Sequence, residues 1–494
     1  MHIRREEHPI MNSTTYMSTS TAMTEVRSRG VGRLYLIRRA ALVLVGALSA
    51  ALVPTSAQVT GIAQFSSTGD PQNPQVVGVI AQGRDGNMYF TAPEIVANMK
   101  TSAAYKVAPS GKLTLIYTFP SGGQTYSGLT LGTNGDFYGT TLNGGANLKG
   151  SVFELTSKGV LTTLYSFLGE NDGEKPMAPP IEIAGNWYGT ATAGGLNNDG
   201  TVYQLTRSGK LTPLVQFSSS TGADPVAPVL EGTDGRLYGV TRTGPGSYDY
   251  ACMVFSVTTT GTEFTEAQYN YYGANCESGL VQGSDGDFYA TAYINANGWG
   301  TVFKVTPSPD YVFTTLYPFT DKSDGRYPYA GLLLATDGNF YGVAQEAGAD
   351  SYGTLYEIKD DGFVTPVSWA FTGGADGAYS STPLIQNTNG LIYGTTANGG
   401  STTNNGVFFK FDNGLGPFVS LVSNFGAPGA TIGILGQKLT GTTSVSFDGT
   451  PATFKVVSST YMTADVPTGA TTGYVTVTTP TATLTSNKQF NVTN

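Results

Sequence analysis

A phrase that returns seven times constrains this chain more than any other feature. It reads Gly83-Arg84-Asp85-Gly86-Asn87-Met88-Tyr89, then Gly132-Thr133-Asn134-Gly135-Asp136-Phe137-Tyr138, and returns around Tyr188, Tyr238, Tyr289, Tyr341 and Tyr393. These tyrosines are 49, 50, 50, 51, 52 and 52 residues apart. A period near fifty residues marks a repeat architecture, in which each unit is one supersecondary element stacked on the next. Abundant glycine, 11% aromatic residues and only 12% charged residues suit turn-rich β structure and exclude a disordered chain.

Each repeat holds four β segments. The second is the aromatic phrase, as in Phe340 to Val343, and the third reads Gly-Thr-Val-Phe or Gly-Thr-Val-Tyr, as at Gly200 to Tyr203 and Gly300 to Phe303. The fourth follows a glycine turn, as in Leu161 to Phe167, and the first is a short apolar run such as Leu332 to Leu334. Asp-Gly and Asn-Gly between such runs are hairpin signals, because primed turns need positive φ; they read as turns and not as ligands. Four antiparallel strands repeated at this spacing predict an all-β, seven-bladed β-propeller over 58–412. The seventh repeat lacks its fourth strand, and a lone fourth-strand phrase stands at Val59 to Phe65. The expectation is that residues 58–66 complete the last blade and remove an open sheet edge.

The phrases together resemble the GloVer (Gloeo-Verruco) tandem repeat of bacterial surface and secreted proteins, over about residues 58–412. Repeat one departs from it, with Phe90-Thr91-Ala92 in place of Gly-Thr-Thr, and repeat four has Ala251-Cys252 in place of Gly-Thr. The resemblance implies no catalytic residues. After a linker at 413–416 the period stops. Short strands are predicted at Thr431–Leu435, Ser444–Phe447, Met462–Val466, Gly473–Thr478 and Gln489–Val492, spaced for a small sandwich. Gly433 to Gly436, Val445 to Ala452, Val466 to Ala470 and Gly473 to Val477 resemble an IPT/TIG domain over 417–494, which implies an immunoglobulin-like β-sandwich acting as spacer or binding module.

Residues 1–57 read differently. Arg33, Arg38 and Arg39 precede an apolar run from Ala40 to Val53, and Pro54-Thr55-Ser56-Ala57 follows, the pattern of a secretory signal behind a polar leader. An uncleaved anchor is the rival reading; with cleavage near Gln58 no membrane insertion remains. Cleavage would remove both histidines, His2 and His8, together with seven of the 26 basic and three of the 35 acidic side chains, leaving 19 against 32. Such an acidic surface disfavours nucleic acid and anionic lipid. The expected location is extracellular, on the cell surface or in the periplasm, and the expected state is a monomer. Cys252 and Cys276 are the only cysteines. In an oxidising compartment they favour a disulfide, two separate buried thiols being the alternative.

A chain without histidine holds neither Ser-His-Asp nor Cys-His nucleophiles, nor histidine-based metal sites. A polysaccharide-cleaving propeller using carboxylates and tyrosine is the alternative function, since glycosidases need only two carboxyl groups. Asp70, Asp172, Asp224, Asp324 and Asp376 recur in the inter-blade loops. They are weighed as Ca²⁺ ligands, but Asp-Gly turn chemistry is the preferred reading, so no cofactor is expected. The better lead is aromatic: Tyr248, Tyr250, Tyr271, Tyr272, Trp299 and Tyr327 fall in loops of one face. Aromatic platforms stack on sugar rings or anchor protein partners. These observations point to a non-enzymatic recognition scaffold for an extracellular glycan or protein.

Overall fold

The computed structural model describes residues 57–65, 78–96, 99–120, 122–244, 252–269, 275–294, 297–359, 364–400 and 404–493. The signal segment, Asp70, Tyr248, Tyr250, Tyr271 and Tyr272 lie outside them. The described chain is all β, built mainly from four-stranded antiparallel sheets.

Seven such sheets arise from the repeats. The second is typical: Thr130–Leu131, Phe137–Thr141, Ser151–Leu155 and Leu161–Ser166, paired in chain order. The seventh takes its fourth strand from the N-terminus, where Gln58–Gln64 pairs antiparallel with Val407–Asp412. That strand also repeats a local irregularity. Ile62 is the extra residue where the register shifts between Gly61 and Ala63, as Leu164 is in the second sheet and Leu214 in the third. The bulge aims the strand at the next hairpin. Gly111, at φ +91°, would place a Cβ 2.0 Å from the Ile62 carbonyl oxygen, and Gly159 at φ +86° would stand 2.3 Å from that of Ile116. Only glycine fits both the positive φ and the close approach.

The aromatic phrase explains how the sheets stack. Successive strand residues point to opposite faces, so the residue before each tyrosine faces the preceding sheet and the tyrosine faces the following one. Tyr89 lies 4.0 Å from Phe137, Tyr138 4.9 Å from Trp187, Tyr238 4.1 Å from Phe288 and Tyr289 4.1 Å from Phe340, centroid to centroid. A hydrophobic core forms between each sheet and the next, and one more joins the seventh sheet to the first through Tyr393, Phe408, Ala63, Met88, Phe90 and Tyr105. With both faces covered, second strands such as Phe137–Thr141 and Phe340–Ala344 are buried along their whole length. The segments just before the seven first strands line a common cavity of about 210 Å³, from Val79 round to Leu384.

Beyond Asn413 the chain forms two further sheets. One runs Ser420–Leu421, Thr431–Leu435, Tyr461–Asp465, Phe454–Val456; the other runs Phe425–Gly426, Thr483–Val492, Gly473–Thr478, Ser444–Phe447, Thr450–Pro451. Their inner faces meet in one core that includes Ile434, Met462, Val445, Val475 and Phe490. The strand expected at Met462–Val466 spans Tyr461–Asp465, and the last strand begins at Thr483, earlier than the expected Gln489.

Candidate functional site

Most recurring polar residues are consumed by the fold. In the turn of the phrase, one aspartate oxygen accepts the backbone N–H two residues on and the other accepts the tyrosine hydroxyl. Tyr89 donates to Asp85 at 2.8 Å, Tyr238 to Asp234 at 2.7 Å, Tyr289 to Asp285 at 2.8 Å and Tyr341 to Asp337 at 2.7 Å. Burial first, then the aspartate, raises the pKa of Tyr89, Tyr238 and Tyr341, and Tyr289 makes the same donor hydrogen bond. Each serves the fold as a hydrogen-bond donor across its own turn.

The loop aspartates are also occupied. Asp172 accepts Leu168 N–H at 2.9 Å and the Tyr165 hydroxyl at 2.8 Å; Asp324 accepts Thr320 N–H at 2.8 Å and the Tyr317 hydroxyl at 3.0 Å. Asp376 accepts Thr372 N–H and Trp369 Nε1–H, each at 3.0 Å. Asp224 is ion-paired to Arg242 at 2.9 Å. Among the described residues no group of three or more acidic, cysteine or histidine side chains is placed to hold a metal ion.

A different set of positions is left to vary. Where one sheet hands over to the next, a residue with positive φ donates its N–H to the carbonyl of the residue before the Gly that opens the preceding third strand. Lys175 (φ 55°) bonds Lys149, Asp224 (58°) bonds Asp199, Tyr327 (59°) bonds Trp299 and Tyr379 (58°) bonds Tyr352. Non-glycine residues rarely hold such φ values, and they cluster at functional sites. The backbone device is constant while the side-chain pairs are two lysines, two aspartates, Trp–Tyr and Tyr–Tyr. Partial burial, and then Asp224 beside it, raises the Asp199 pKa.

The aromatic pairs sit on the fifth to seventh sheets. Trp299 and Tyr327 have ring centroids 6.4 Å apart, Tyr352 and Tyr379 5.9 Å, and Tyr293 stacks on Tyr329 at 4.4 Å. The Arg326 guanidinium lies 4.9 Å from the Tyr327 ring and 5.4 Å from Trp299, a cation–π arrangement. It is held by Glu346 at 2.6 Å and Asp321 at 2.9 Å. Arg326, Glu346, Asp321 and Tyr379 line an open depression of about 540 Å³. Tyr329 and Glu277 reach the mouth of the common cavity. Burial raises the Glu277 pKa against the opposing pull of Arg242, 3.7 Å away, and burial pushes Tyr329 up to about 12.

Of the six aromatic residues expected from sequence, Trp299 and Tyr327 are thus brought together; the other four lie outside the described residues. Tyr293, Tyr329, Tyr352 and Tyr379 were missed. For Tyr352 and Tyr379 the signal was position: the residue before the third-strand Gly, and the second residue after the loop Asp-Gly. Cys252 and Cys276 are joined in a disulfide, with Cα atoms 5.2 Å apart. The bridge ties the third strand of the fourth sheet to the segment entering the fifth.

Comparison with known proteins gives two family matches. The Gloeobacter/Verrucomicrobia repeat matches residues 73–275 and 245–454, and the IPT/TIG domain matches residues 417–492. No curated protein matches the sequence. Among solved structures, a puromycin hydrolase is 13% identical with a TM-score of 0.44, covering 69% of this chain and 53% of its own. A puromycin-hydrolyzing peptidase of Mycobacterium tuberculosis is 10% identical with a TM-score of 0.44, covering 80% and 60%. The BP39L lectin of Burkholderia pseudomallei is 11% identical with a TM-score of 0.45, covering 67% and 94%. The chain therefore spans between half and two thirds of the two hydrolases, and at these scores none of the three bears on its activity.

Proposed function

Because the chain belongs to the Gloeobacter/Verrucomicrobia repeat family and carries a C-terminal IPT/TIG domain, we propose that it is a non-enzymatic recognition scaffold. In this reading residues 58–412 are a seven-bladed β-propeller, 413–416 a linker and 417–494 an immunoglobulin-like sandwich. The scaffold is extracytoplasmic and monomeric, and it binds a glycan or protein through the propeller rim. The signal-like N-terminus and the Cys252–Cys276 disulfide support that location.

The observation that carries the binding reading is the rim itself. One rigid backbone device presents side-chain pairs of different chemistry, and two adjacent pairs are aromatic around a clamped arginine. Variable side chains on an invariant frame are the arrangement of a binding surface. Aromatic rings beside hydrogen-bonding carboxylates and a guanidinium suit a sugar ring, which needs a stacking face and polar partners at its edge. A polysaccharide-cleaving reading needs two facing carboxyl groups about 5–9.5 Å apart. Among the described residues Glu277 is the one acid lining the common cavity, beside Arg242, and Asp321 and Glu346 in the rim depression are both engaged by Arg326, which supports binding over cleavage.

A glycan array probed with the purified protein tests this. Binding is expected, with at least a tenfold loss in Trp299→Ala and Tyr352→Ala. A silent array, or a signal untouched by both substitutions, would remove the rim as a glycan site. Release of reducing ends from a bound polysaccharide would favour the enzymatic alternative.

A further inference from the structure

The face opposite the rim holds a second cleft. There the first-strand residues act as latches between sheets. Gln82 receives the Thr388 N–H and donates to its hydroxyl, both at 2.8 Å. Glu182 receives the Thr133 N–H and hydroxyl, both at 2.7 Å, and Gln282 and Gln386 hold Thr233 and Thr336 in the same way. Glu231 occupies the equivalent place in the fourth sheet, one residue before the turn. The turn it would hold runs Ile183-Ala184-Gly185-Asn186, one residue shorter than its counterparts and without a threonine. The Glu231 side chain makes no hydrogen bond or ion pair with the described residues, although it is partly buried. Burial pushes its pKa up to about 7.

The C-terminal module docks over this same face. Thr460 donates its hydroxyl proton to the Arg84 carbonyl at 2.7 Å, and Gln437 Nε2 donates to the Thr388 hydroxyl at 3.0 Å. These contacts fall on the seventh and first sheets. Over the fourth and fifth sheets the module stands off and leaves a cleft of about 340 Å³. Glu231 and Asp285 line one wall; Phe425, Tyr474, Lys488 and Gln489 line the other. Tyr474 is 45% exposed. Lys488 is crowded enough by protein for desolvation to lower its pKa, yet solvent still reaches it.

We propose that this cleft is a second binding site, distinct from the rim, and that it takes the end of an uncharged saccharide. Its size is at the lower end of small-molecule sites, about 300–1,000 Å³, which admits one or two sugar rings and no folded partner. Tyr474 and Phe425 supply an apolar face for the sugar ring. Glu231, with no structural partner to hold, and Lys488 and Gln489 supply an acceptor and donors for its hydroxyls. Charges of both signs line the cleft, so a phosphate or polyanion gains nothing there that Glu231 and Asp285 do not oppose.

Saturation-transfer NMR on the full protein with cellobiose, lactose and diacetylchitobiose tests the assignment. At least one of the three is expected to bind. Tyr474→Ala, which truncates a half-exposed ring, and Glu231→Ala should each weaken it at least tenfold, while Trp299→Ala changes it less than twofold. Binding by none of the three, or binding that survives Tyr474→Ala, would overturn the proposal. Loss in Trp299→Ala alone would assign the sugar to the rim and also overturn it, so the two sites stand or fall separately.

Discussion

An aspartate and the tyrosine four residues after it perform two tasks at once in this chain. The aspartate closes the hairpin through the N–H two residues on, as Asp234 does with Arg236 at 3.1 Å, and satisfies a phenol whose ring is buried between two sheets. A buried hydroxyl without a partner would cost about 1–3 kcal/mol, so the pairing explains why the turn and the aromatic recur together. Glu231 shows the opposite case, a partly buried acid whose partner is missing. Its folded pKa of about 7 stands above the ordinary value of 4.5. Its contribution to stability is therefore fully present below about pH 4.5 and is lost as the pH rises through 7. Glu231→Gln removes that loss. The variant should gain on the wild type between pH 5 and pH 8, by about 1 kcal/mol once solvent screening of this partly exposed group is allowed for. Urea denaturation at the two pH values measures it; an equal difference at both would show that Glu231 ionises freely.

At the scale of the strand, closure depends on Gln58–Gln64. Its inward residues Val59 and Ala63, with Phe65 just beyond, are buried against the sixth, seventh and first sheets, and Gly111 accommodates its bulge at Ile62. Burying a valine and a phenylalanine is worth about 1.5–3 kcal/mol each. Deleting residues 58–65 should therefore lower the melting temperature by at least several degrees, since each kcal/mol shifts even a domain of roughly 150–250 residues by about 2–4 °C. It should also promote aggregation through the bared edge of Val407–Asp412. An unchanged transition would deny the strand its closing role. This element was legible because Val59 to Phe65 repeats the spacing of Leu211 to Phe217. The turns were legible for the same reason: Asp-Gly needs no tertiary context to read as a hairpin. Tyr352 and Tyr379 occupy repeat positions that the sequence does mark, but their pairing was not legible, because an inter-sheet hydrogen bond and a positive φ bring them together. Two-residue strands such as Ser420–Leu421 and Thr450–Pro451 escaped because two residues carry no periodicity. Glu231 could have been found, since the short turn at Ala184-Gly185 is visible in the alignment of the repeats with one another.

At the scale of the whole molecule, the two ends of the common cavity are treated differently. Ser420, Leu421, Val422, Leu435, Asn487 and Lys488 of the C-terminal module line one end together with first-strand residues of several sheets. The module thus covers that end and leaves the aromatic rim on the uncovered side, so the rim and the cleft beneath the module are separate surfaces. Docking turns on few side chains. Arg84 stacks its guanidinium 4.3 Å from the Tyr461 ring and donates to the Thr133 carbonyl at 2.6 Å, while its own carbonyl receives Thr460. A desolvated cation–π contact is worth about 2 kcal/mol, an exposed one about 0.5–1. Arg84→Ala should consequently loosen the module without unfolding either part, because the cores of both lie elsewhere. The readouts are a larger maximum dimension in small-angle scattering and faster proteolysis between Asn413 and Pro417, with an unchanged circular dichroism spectrum. If the module is what roofs the cleft, the same variant should lose saccharide binding there and keep it at the rim. Unaltered dimensions and proteolysis in Arg84→Ala would mean that Gln437, Thr460 and the Phe418 N–H, which donates to the Thr388 carbonyl at 3.1 Å, suffice to hold the module, and that the cleft is a fixed feature of the fold.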